Sequence, residues 1–565
     1  MRHLPLALGL ALATLTTGVL GGCDQEYDPD APAVDPNAPR VHITSPARGT
    51  FAGNVSTVQV TGTAFDDQGV TAVTVNGVTA SLAADGTFTA QVPVRPGTNL
   101  LHAIARDAQA NQGKETRAVV SGGLAPIGTV VQQGLTASLT AQAIDAIGRG
   151  VTGFMTGPTL MTAVAPMNPV IDVGTEMGAP DCLYVLGQIN NITMSSTSKI
   201  TLMPQWGGIY LDATLDRPQV DMGLQYAASC LDGGRTVTVG ATKIRITGVL
   251  KMSVAGGKFE IYLDDEDVQI TGFNVDLGGV PGAIVDMLHL DTAMGPILAF
   301  MVERLAVPYV NKALDGLNQT KTIDVLGTKV DVRVRPARID VDIPGAIIEL
   351  DTELRAHADT ASPGFVFTPN IVPTMDLTRG FELAVADDAG NQLLGSYWAA
   401  KGMDTAVDLA NGSYGAIGQL YDRVELTAMV PPFIDASGDG LRLTVGDLMG
   451  TFKNDGVIAT QVSINAELAL KVVPGAAGAL RLDVGEPVIH VDVLDEAFDS
   501  TAIEGSNQLS NAQFEAVSSF ALSRIVAFGS GAVGAIPLPS FGGVAVSDVD
   551  VVDADGYLIV GGEIQ

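Results

Sequence analysis

The feature that most constrains the fold of this chain is a pattern that occurs twice. Each copy has an amphipathic helical stretch, a run of alternating strands, a second amphipathic helical stretch and a short strand introduced by prolines. The copies run from Val130 to Ile339 and from Leu383 to Ile564. Each copy carries more apolar surface on helices and strands than a simple sandwich needs. The pattern therefore predicts a pair of domains that enclose a ligand more than it predicts an enzyme.

The N-terminus is typical of an exported chain. Residues 1–3 form a short, positively charged start. Residues 4–20 are an apolar run that is too short and too often interrupted by Gly and Thr to span a membrane, and Leu-Gly-Gly-Cys follows at 20–23. This resembles a bacterial lipoprotein signal, which implies that Cys23 becomes the first mature residue and carries acyl chains. Several acyl chains together anchor a protein stably. The alternative is a plain secretory signal followed by an unrelated cysteine.

Composition divides the chain further. Residues after Cys23 are rich in Asp and Pro with almost no large apolar side chain, so they predict an extended tether that reaches roughly 50 Å. The predicted organisation is a signal peptide at 1–22, an acylated tether at 23–40, an Ig-like domain at 41–121, an N-terminal lipid-binding barrel at 122–335 and a C-terminal lipid-binding barrel at 336–565.

Residues 41–121 predict a small all-β sandwich, because short strands recur at regular spacing between turns. Asn76-Gly77 lies between two strand-like triplets and predicts a hairpin, since this dipeptide tolerates positive φ at both positions. The segment resembles bacterial Ig-like modules, which are usually spacers. Asp66, Asp67 and Asp107 could gather a calcium ion, with solvated turn carboxylates as the alternative.

Two further cysteines, Cys182 and Cys230, are a candidate disulfide in an oxidising compartment. Two free buried thiols are the alternative.

The charge balance also limits the partners: 62 acidic against 31 basic residues give a net charge of −31, which opposes binding to phosphate backbones. Nucleic acid is therefore not a predicted partner, and the oligomeric state is left open.

Apolar residues at helical spacing predict the candidate lining of a ligand pocket. Val131, Leu135, Leu139 and Ile147 predict a first long helix, Leu393 to Trp398 a shorter one, and Phe514 to Phe528 the last. A narrow helix stripe facing a curved sheet can offer the dry groove that an acyl chain needs. The alternative is that these side chains only fill a core. The proposed lipid-binding residues are Leu135, Leu139, Ile147, Leu393, Leu394, Trp398, Val517 and Ala521.

Two motifs resemble the tubular lipid-binding superfamily, to which bactericidal/permeability-increasing protein belongs. One is Ala-Asp-Asp-Ala-Gly-Asn-Gln-Leu-Leu at 386–394, followed by Trp398 and Gly402, and the other is the Pro-containing ending at 536–541 with the final strand at 555–559. The resemblance implies an α+β fold: two elongated barrels, each a twisted antiparallel sheet wrapped around a long helix, joined by a central sheet. It also implies that acyl chains are held in apolar pockets. Unlike the cationic antibacterial members, this chain has no Lys/Arg cluster.

Enzyme signatures do not occur. The chain lacks Gly-x-Ser-x-Gly, His-Glu-x-x-His and phosphate-loop patterns, and its six histidines are scattered. Residues 435–440 begin like a calcium loop, but Gly446 stands where the terminal Glu is needed, so a hairpin turn is favoured. The four acids at 264–267 are typical of a solvated turn. No catalytic residue, metal or cofactor is predicted.

The predicted function is a membrane-anchored lipoprotein that binds or transfers phospholipid or another apolar ligand. The predicted location is the cell envelope, with the anchor in the outer membrane facing the periplasm or the surface. The inner membrane is the alternative, because Asp24 follows the cysteine. A structural or adhesive surface protein is the rival function. A carbohydrate-active enzyme is a third, but no pair of carboxylates supports it.

Overall fold

The computed structural model of the 565-residue chain describes residues 38–154, 161, 165–174, 184–228, 231–276, 278–280, 320–325, 327–357, 362–368, 370–410, 417–436, 440–474, 480–494, 514, 518 and 546–564. The described helices are short. They are α1 (Ala141–Phe154), α2 (Asp387–Ala399) and α3 (Ile417–Leu420), with a 3-10 turn at Ala165–Met167.

The strands make up most of the described structure. The first part of the chain forms β1 (Arg40–Ser45), β2 (Thr50–Gly53), β3 (Thr57–Phe65), β4 (Val70–Val75), β5 (Val78–Thr79), β6 (Ser81–Leu82), β7 (Thr87–Pro93), β8 (Gly97–Asp107), β9 (Gln112–Ser121), β10 (Leu124–Ala125) and β11 (Val131–Thr140). The middle forms β12 (Ile171–Gly174), β13 (Tyr184–Thr193), β14 (Lys199–Gln205), β15 (Gly208–Asp216), β16 (Gln219–Ala228), β17 (Leu231–Gly240), β18 (Lys243–Ala255), β19 (Lys258–Thr271), β20 (Asn274–Asp276), β21 (Thr320–Val325), β22 (Thr328–Asp342), β23 (Gly345–Ala356) and β24 (Phe365–Val366). The remainder forms β25 (Phe381–Ala386), β26 (Thr405–Asp408), β27 (Arg423–Ala428), β28 (Phe433–Asp435), β29 (Leu441–Asn454), β30 (Val457–Pro474), β31 (Leu480–Val484), β32 (Val488–Val493), β33 (Val546–Ala554) and β34 (Tyr557–Ile564).

Strands β1 to β9 form a two-sheet sandwich, called here the sandwich module. Its sheets have the orders β1-β3-β7-β6 and β2-β9-β8-β4-β5. Alternate residues of β3 and β7 are buried, as expected for strands with one face against a core. The hairpin predicted at Asn76-Gly77 is confirmed: both residues have positive φ, 48° and 77°, and they join β4 to β5.

A seven-stranded sheet of order β21-β22-β23-β11-β25-β34-β33 holds the rest of the molecule together. Its strands come from both copies of the sequence pattern. The neighbours β11 and β25 are antiparallel, with Leu139 opposite Phe381. Because α1 begins directly after β11 and α2 directly after β25, the two helices leave the central sheet at opposite ends.

Each end of the central sheet carries further antiparallel strands. Sheets of order β12-β13-β16-β17-β20 and β14-β15-β18-β19 lie at the α1 end, and a sheet of order β26-β27-β29-β30-β31, with β28 and β32 paired to it, lies at the α2 end. Each set encloses a large apolar cluster. These clusters are called the first core and the second core below.

The prediction of an α+β fold, with each barrel wrapped around a long helix, is wrong. The structure is mostly β, and α1 and α2 have 14 and 13 residues. The stretch from Val131 to Thr140, predicted as part of the first long helix, is strand β11. Apolar residues four apart fit a strand as well as a helix, since four is a multiple of two. Thr136 and Ser138 are also buried, so the alternation expected of a strand was hidden in the sequence.

Candidate apolar ligand site

The first core is built by β11, α1 and the curved sheets around them. Leu135 and Leu139 are buried on β11, and Ile144 is buried on α1. The Thr140 hydroxyl caps α1 by accepting a hydrogen bond from Ala143 N at 3.2 Å, which begins the helix where the strand ends. Ile147, one turn further on, is half-buried and packs against the same core. Three predicted lining residues, Leu135, Leu139 and Ile147, therefore lie together.

Along one strand, the described residues leave the first core incompletely covered. β19 lies at the edge of its sheet, and Ile261 on it is buried. The flanking apolar residues of β19 are only half-buried although they pack against the core. They are Phe259, Leu263, Val268 and Ile270, called here the β19 rim. Half-covered apolar side chains at the margin of a core give a ligand chain apolar surface to bind.

The second core is built by α2 and the strands β27 to β32. Leu393 and Leu394 are buried in it, so two more predicted lining residues lie together. Deeper in this core, the rings of Tyr421, Phe452 and Phe514 pack with centroids 5.0 to 6.3 Å apart. Burial raises the pKa of Tyr421 to about 12. This part of the second core is filled by aromatic side chains.

Trp398 lies at the margin of the second core. Its indole Nε1 donates a hydrogen bond to the carbonyl oxygen of Ala428 at 2.8 Å. Its ring lies 6.0 Å from that of Phe51, which belongs to the sandwich module. The contact joins a predicted lining residue to a part of the chain that was predicted to act as a spacer.

The two cores meet on the inner face of the central sheet. Val332 on β22 packs against both clusters. On the neighbouring β23, Leu350 belongs to the first core and Leu354 packs against the second. Thr352 between them is buried, and its Oγ1 has no hydrogen-bond partner in the described part of the chain. The inner face of the sheet is thus apolar across the junction, apart from this hydroxyl.

Two acidic residues of the sequence motif at 386–394 lie in the first turn of α2 and have a structural role that the motif alone does not indicate. Asp387 accepts hydrogen bonds from Asn370 Nδ2 at 2.7 Å and from Ala436 N at 3.1 Å. Asp388 accepts from the backbone N and the hydroxyl of Thr368. Burial raises the pKa of Asp387 to about 7 and that of Asp388 to about 6. The pair ties two loops to the helix N-terminus, where negative charge is favourable.

Asn391, one turn into α2, holds strand β28 in place. Its side chain accepts from Ile434 N and donates to Ile434 O, both at 2.8 Å. The Asp–Asn spacing in the sequence was therefore a signal for loop attachment to this helix rather than for ligand contact.

Several predicted residues lie outside the described part of the chain. They are Cys23, Cys182, Cys230, Val517 and Ala521. The anchor, the disulfide and the lining by the last helix stay predictions.

Two acidic residues of the sandwich module that were candidate calcium ligands, Asp66 and Asp107, make hydrogen bonds within their own turns. Asp66 accepts a hydrogen bond from Gln68 N, and Asp107 accepts from the backbone and side chain of Asn111. Across the described residues, no three His, Cys, Asp or Glu side chains are arranged to hold a metal ion. In the same residues, no helix is both long and apolar enough to cross a membrane.

Comparisons with known proteins give low similarities. Solved structures similar to this chain include lipopolysaccharide binding protein, with 13% identity, a TM-score of 0.38, and 76% of this chain and 99% of that chain covered. P47 of Clostridium botulinum E1 has 9% identity, a TM-score of 0.24 and coverage of 76% and 98%. P47 from Clostridium botulinum A2 has 9% identity, a TM-score of 0.26 and coverage of 76% and 96%. No curated protein sequence matches. Residues 39–122, which contain the whole sandwich module, match the family described as glucodextranase, domain B.

Proposed function

We propose that this chain is a membrane-anchored lipoprotein that binds or transfers a lipid or another apolar ligand. The observation that carries the proposal is the β19 rim. Its apolar side chains, among them Leu263 and Val268, continue the first core out to an edge strand and stay half-exposed. Apolar side chains left partly exposed at the margin of a core give an apolar ligand a surface to bind.

The size of the hydrophobic effect explains why such a surface suits a lipid. A two-chain lipid with about 30 methylenes costs on the order of 25 kcal/mol to expose fully to water. A carrier must therefore offer continuous apolar surface rather than a small patch. The first core, the inner face of the central sheet at Val332 and the second core adjoin one another, so their apolar side chains form one continuous apolar region.

The anchor is part of the same proposal. Acyl chains on Cys23 hold the protein in the outer membrane of the cell envelope, on its periplasmic or surface side. The tether of residues 23–40 reaches roughly 50 Å when extended, so the folded part can touch the membrane that holds it. A lipid then has only a short distance to travel between bilayer and core.

The experiment that tests binding is native mass spectrometry after gentle purification, combined with uptake of a fluorescent phospholipid. We expect a lipid mass on the purified protein and saturable uptake. Val268→Asp on the β19 rim should reduce uptake, because an unpaired charge on the apolar surface disfavours an acyl chain. Thr271→Asp, an exposed position on the same strand, is the matched control. Protein that carries no lipid and takes up none contradicts the proposal.

A second function is favoured by one observation, the aromatic cluster of Tyr421, Phe452 and Phe514, which fills part of the second core. A core filled by its own side chains suits a structural or adhesive surface lipoprotein, in which these regions are scaffold. In that case neither uptake nor a bound mass is observed, and Val268→Asp affects only stability.

A further inference from the structure

The sandwich module packs closely against the strands that surround the second core. Ala118 and Val120 of β9 form a buried apolar cluster with Val430 and Phe433. The approach is close enough to need a glycine, since a Cβ added to Gly446 would lie 2.3 Å from the Cβ of Ala118. Such contact is unusual for a module that serves only as a spacer, because inter-domain interfaces are typically looser.

β2 pairs with β9 only from Val119 onward, and the edge of β9 before that residue is satisfied by side chains from the other side of this interface. Thr116 N donates to Asp492 Oδ2 at 2.9 Å, and Ala118 N donates to Asp447 Oδ2 at 3.1 Å. The carbonyl oxygen of Thr116 accepts from Asn465 Nδ2 at 3.3 Å. An exposed strand edge presents unpaired backbone groups. Here carboxylate and amide side chains replace the missing strand.

Arg48, in the turn before β2, joins both sides of the interface. Its guanidinium donates to Asp447 Oδ1 at 2.5 Å, to Ser463 Oγ at 2.8 Å and to Glu115 Oε1 at 3.2 Å. The Arg48 side chain is 12% exposed and that of Asp447 is 0% exposed. Loss of one partner from a buried ion pair is strongly destabilising, because the other charge stays buried without compensation.

Asp447 also has an unusual backbone conformation. Its φ is +42°, and it lies where the pairing of β29 and β30 shifts register between Val445 and Leu448. A non-glycine residue in this region is held there by its surroundings. Its carboxylate is thereby directed at both Arg48 and the edge of β9.

The docked module covers one end of the second core. Phe51 lies against Trp398, with ring centroids 6.0 Å apart, and Gly49 lies against Met429. Trp398 is half-buried and packs against the second core. The module thus stands over the C-terminal end of α2.

We propose that the sandwich module is a lid, latched by Arg48 over the Trp398 end of the second core, and that ligand exchange in this core requires its release. The inference rests on the proposed function, since it needs the second core to take an apolar ligand. The segment that covers this end of the second core is the sandwich module of the same chain. The latch is the buried contact of Arg48 with Asp447, and the lid is the surface around Phe51.

The test uses Trp398 as a probe of the lid. The chain has two tryptophans, and the other, Trp206, is 74% exposed, so Trp206→Phe leaves Trp398 as the single indole. In this background Arg48→Ala removes the latch, and Ala118→Leu forces the module away from Gly446 without changing charge. Arg106→Ala, an exposed arginine of the same module, is the matched control. Trp398 emission and acrylamide quenching report release, and far-UV circular dichroism reports folding.

The release of the sandwich module, as reported by Trp398, is then compared with the rate of fluorescent phospholipid uptake by the full chain. We expect both release variants to shift Trp398 emission to the red, to increase its quenching and to speed uptake several-fold, with Arg106→Ala unchanged. Variants that release Trp398 but take up lipid at the wild-type rate overturn the lid while leaving the proposed function intact. Folded variants in which Trp398 stays shielded overturn the latch. Absence of uptake in every variant, wild type included, overturns the proposed function itself.

Discussion

At the scale of single residues, the hydroxyl of Thr352 gives a direct prediction. It is buried between the two cores without a partner in the described structure, and valine has the same shape without the hydroxyl. An unsatisfied buried polar group costs about 1–3 kcal/mol, so Thr352→Val should raise the free energy of unfolding by about 1 kcal/mol. Thr98→Val should lower it by a similar amount, because that hydroxyl donates to Pro431 O at 2.9 Å. Calorimetry of both variants measures the difference, and equal signs contradict the assignment.

Two groups of the lid interface, the buried Asp492 and the half-buried His102, have pKa values shifted in opposite directions. Burial raises the pKa of Asp492 to about 7, and it faces Arg48, Glu115 and Asp447. Burial, helped by the nearby His490 and Lys114, lowers the pKa of His102 to about 4. The raised pKa of Asp492 stabilises the folded state below its unfolded value of 3.8, and this stability is lost as the pH rises through 7. The lowered pKa of His102 has the opposite effect, so stability is lost as the pH falls from 6.5 to 4.

The prediction is that these two effects offset each other between about pH 4 and 6.5. Asp492→Asn should leave only the histidine effect, so its unfolding temperature should fall relative to wild type as the pH is lowered through this range. His102→Gln should leave only the carboxyl effect and fall relative to wild type as the pH is raised. Unfolding midpoints measured at each pH for the three proteins give these differences. Parallel curves would show that neither group titrates as described.

At the scale of elements, β11 depends on one glycine. A Cβ on Gly134 would lie 2.1 Å from Thr352 Oγ1, and the threonine is fixed by its branched side chain within β23. Gly134→Ala should therefore destabilise the central sheet by about 1–3 kcal/mol, the usual cost of overpacking. Gly123→Ala has open space and is the control. Chemical denaturation compares the two, and restoration of stability in Gly134→Ala/Thr352→Ala identifies the clash as the cause.

Elements were predictable from sequence where local chemistry decides the structure. Asn76-Gly77 fixed a turn because few other dipeptides tolerate its φ values. The stretch around Leu135 was mispredicted because a strand buried on both faces loses its alternation. For the same reason, apolar spacing showed that Leu139 is buried but not that a strand carries it, whereas Leu393 lies on a helix as predicted. The β19 rim was missed because partial exposure is a property of the assembled sheets.

The lid interface could not be read from the sequence. Arg48 and Asp447 lie 399 positions apart, and neither forms a local motif. The Thr116–Asp492 contact spans 376 positions. Only the folded chain brings these groups together, because each partner belongs to a turn or strand whose placement depends on long-range packing. The repeated pattern in the sequence indicated two related halves, and the structure joins strands from both halves in one central sheet.

At the scale of the whole molecule, the proposed anchor makes the last prediction. If Cys23 carries acyl chains, the protein expressed in a bacterium with its own signal should fractionate with membranes and incorporate labelled fatty acid. Cys23→Ala should lose the label and appear in the soluble fraction, because no other lipid anchor is proposed, and more than one acyl chain is needed for stable attachment. Cys182→Ala is the matched control, since it changes a different cysteine and should keep both label and membrane association. Label on the Cys23→Ala protein, or soluble wild-type protein without label, would contradict the anchor and require another route for lipid to reach the two cores.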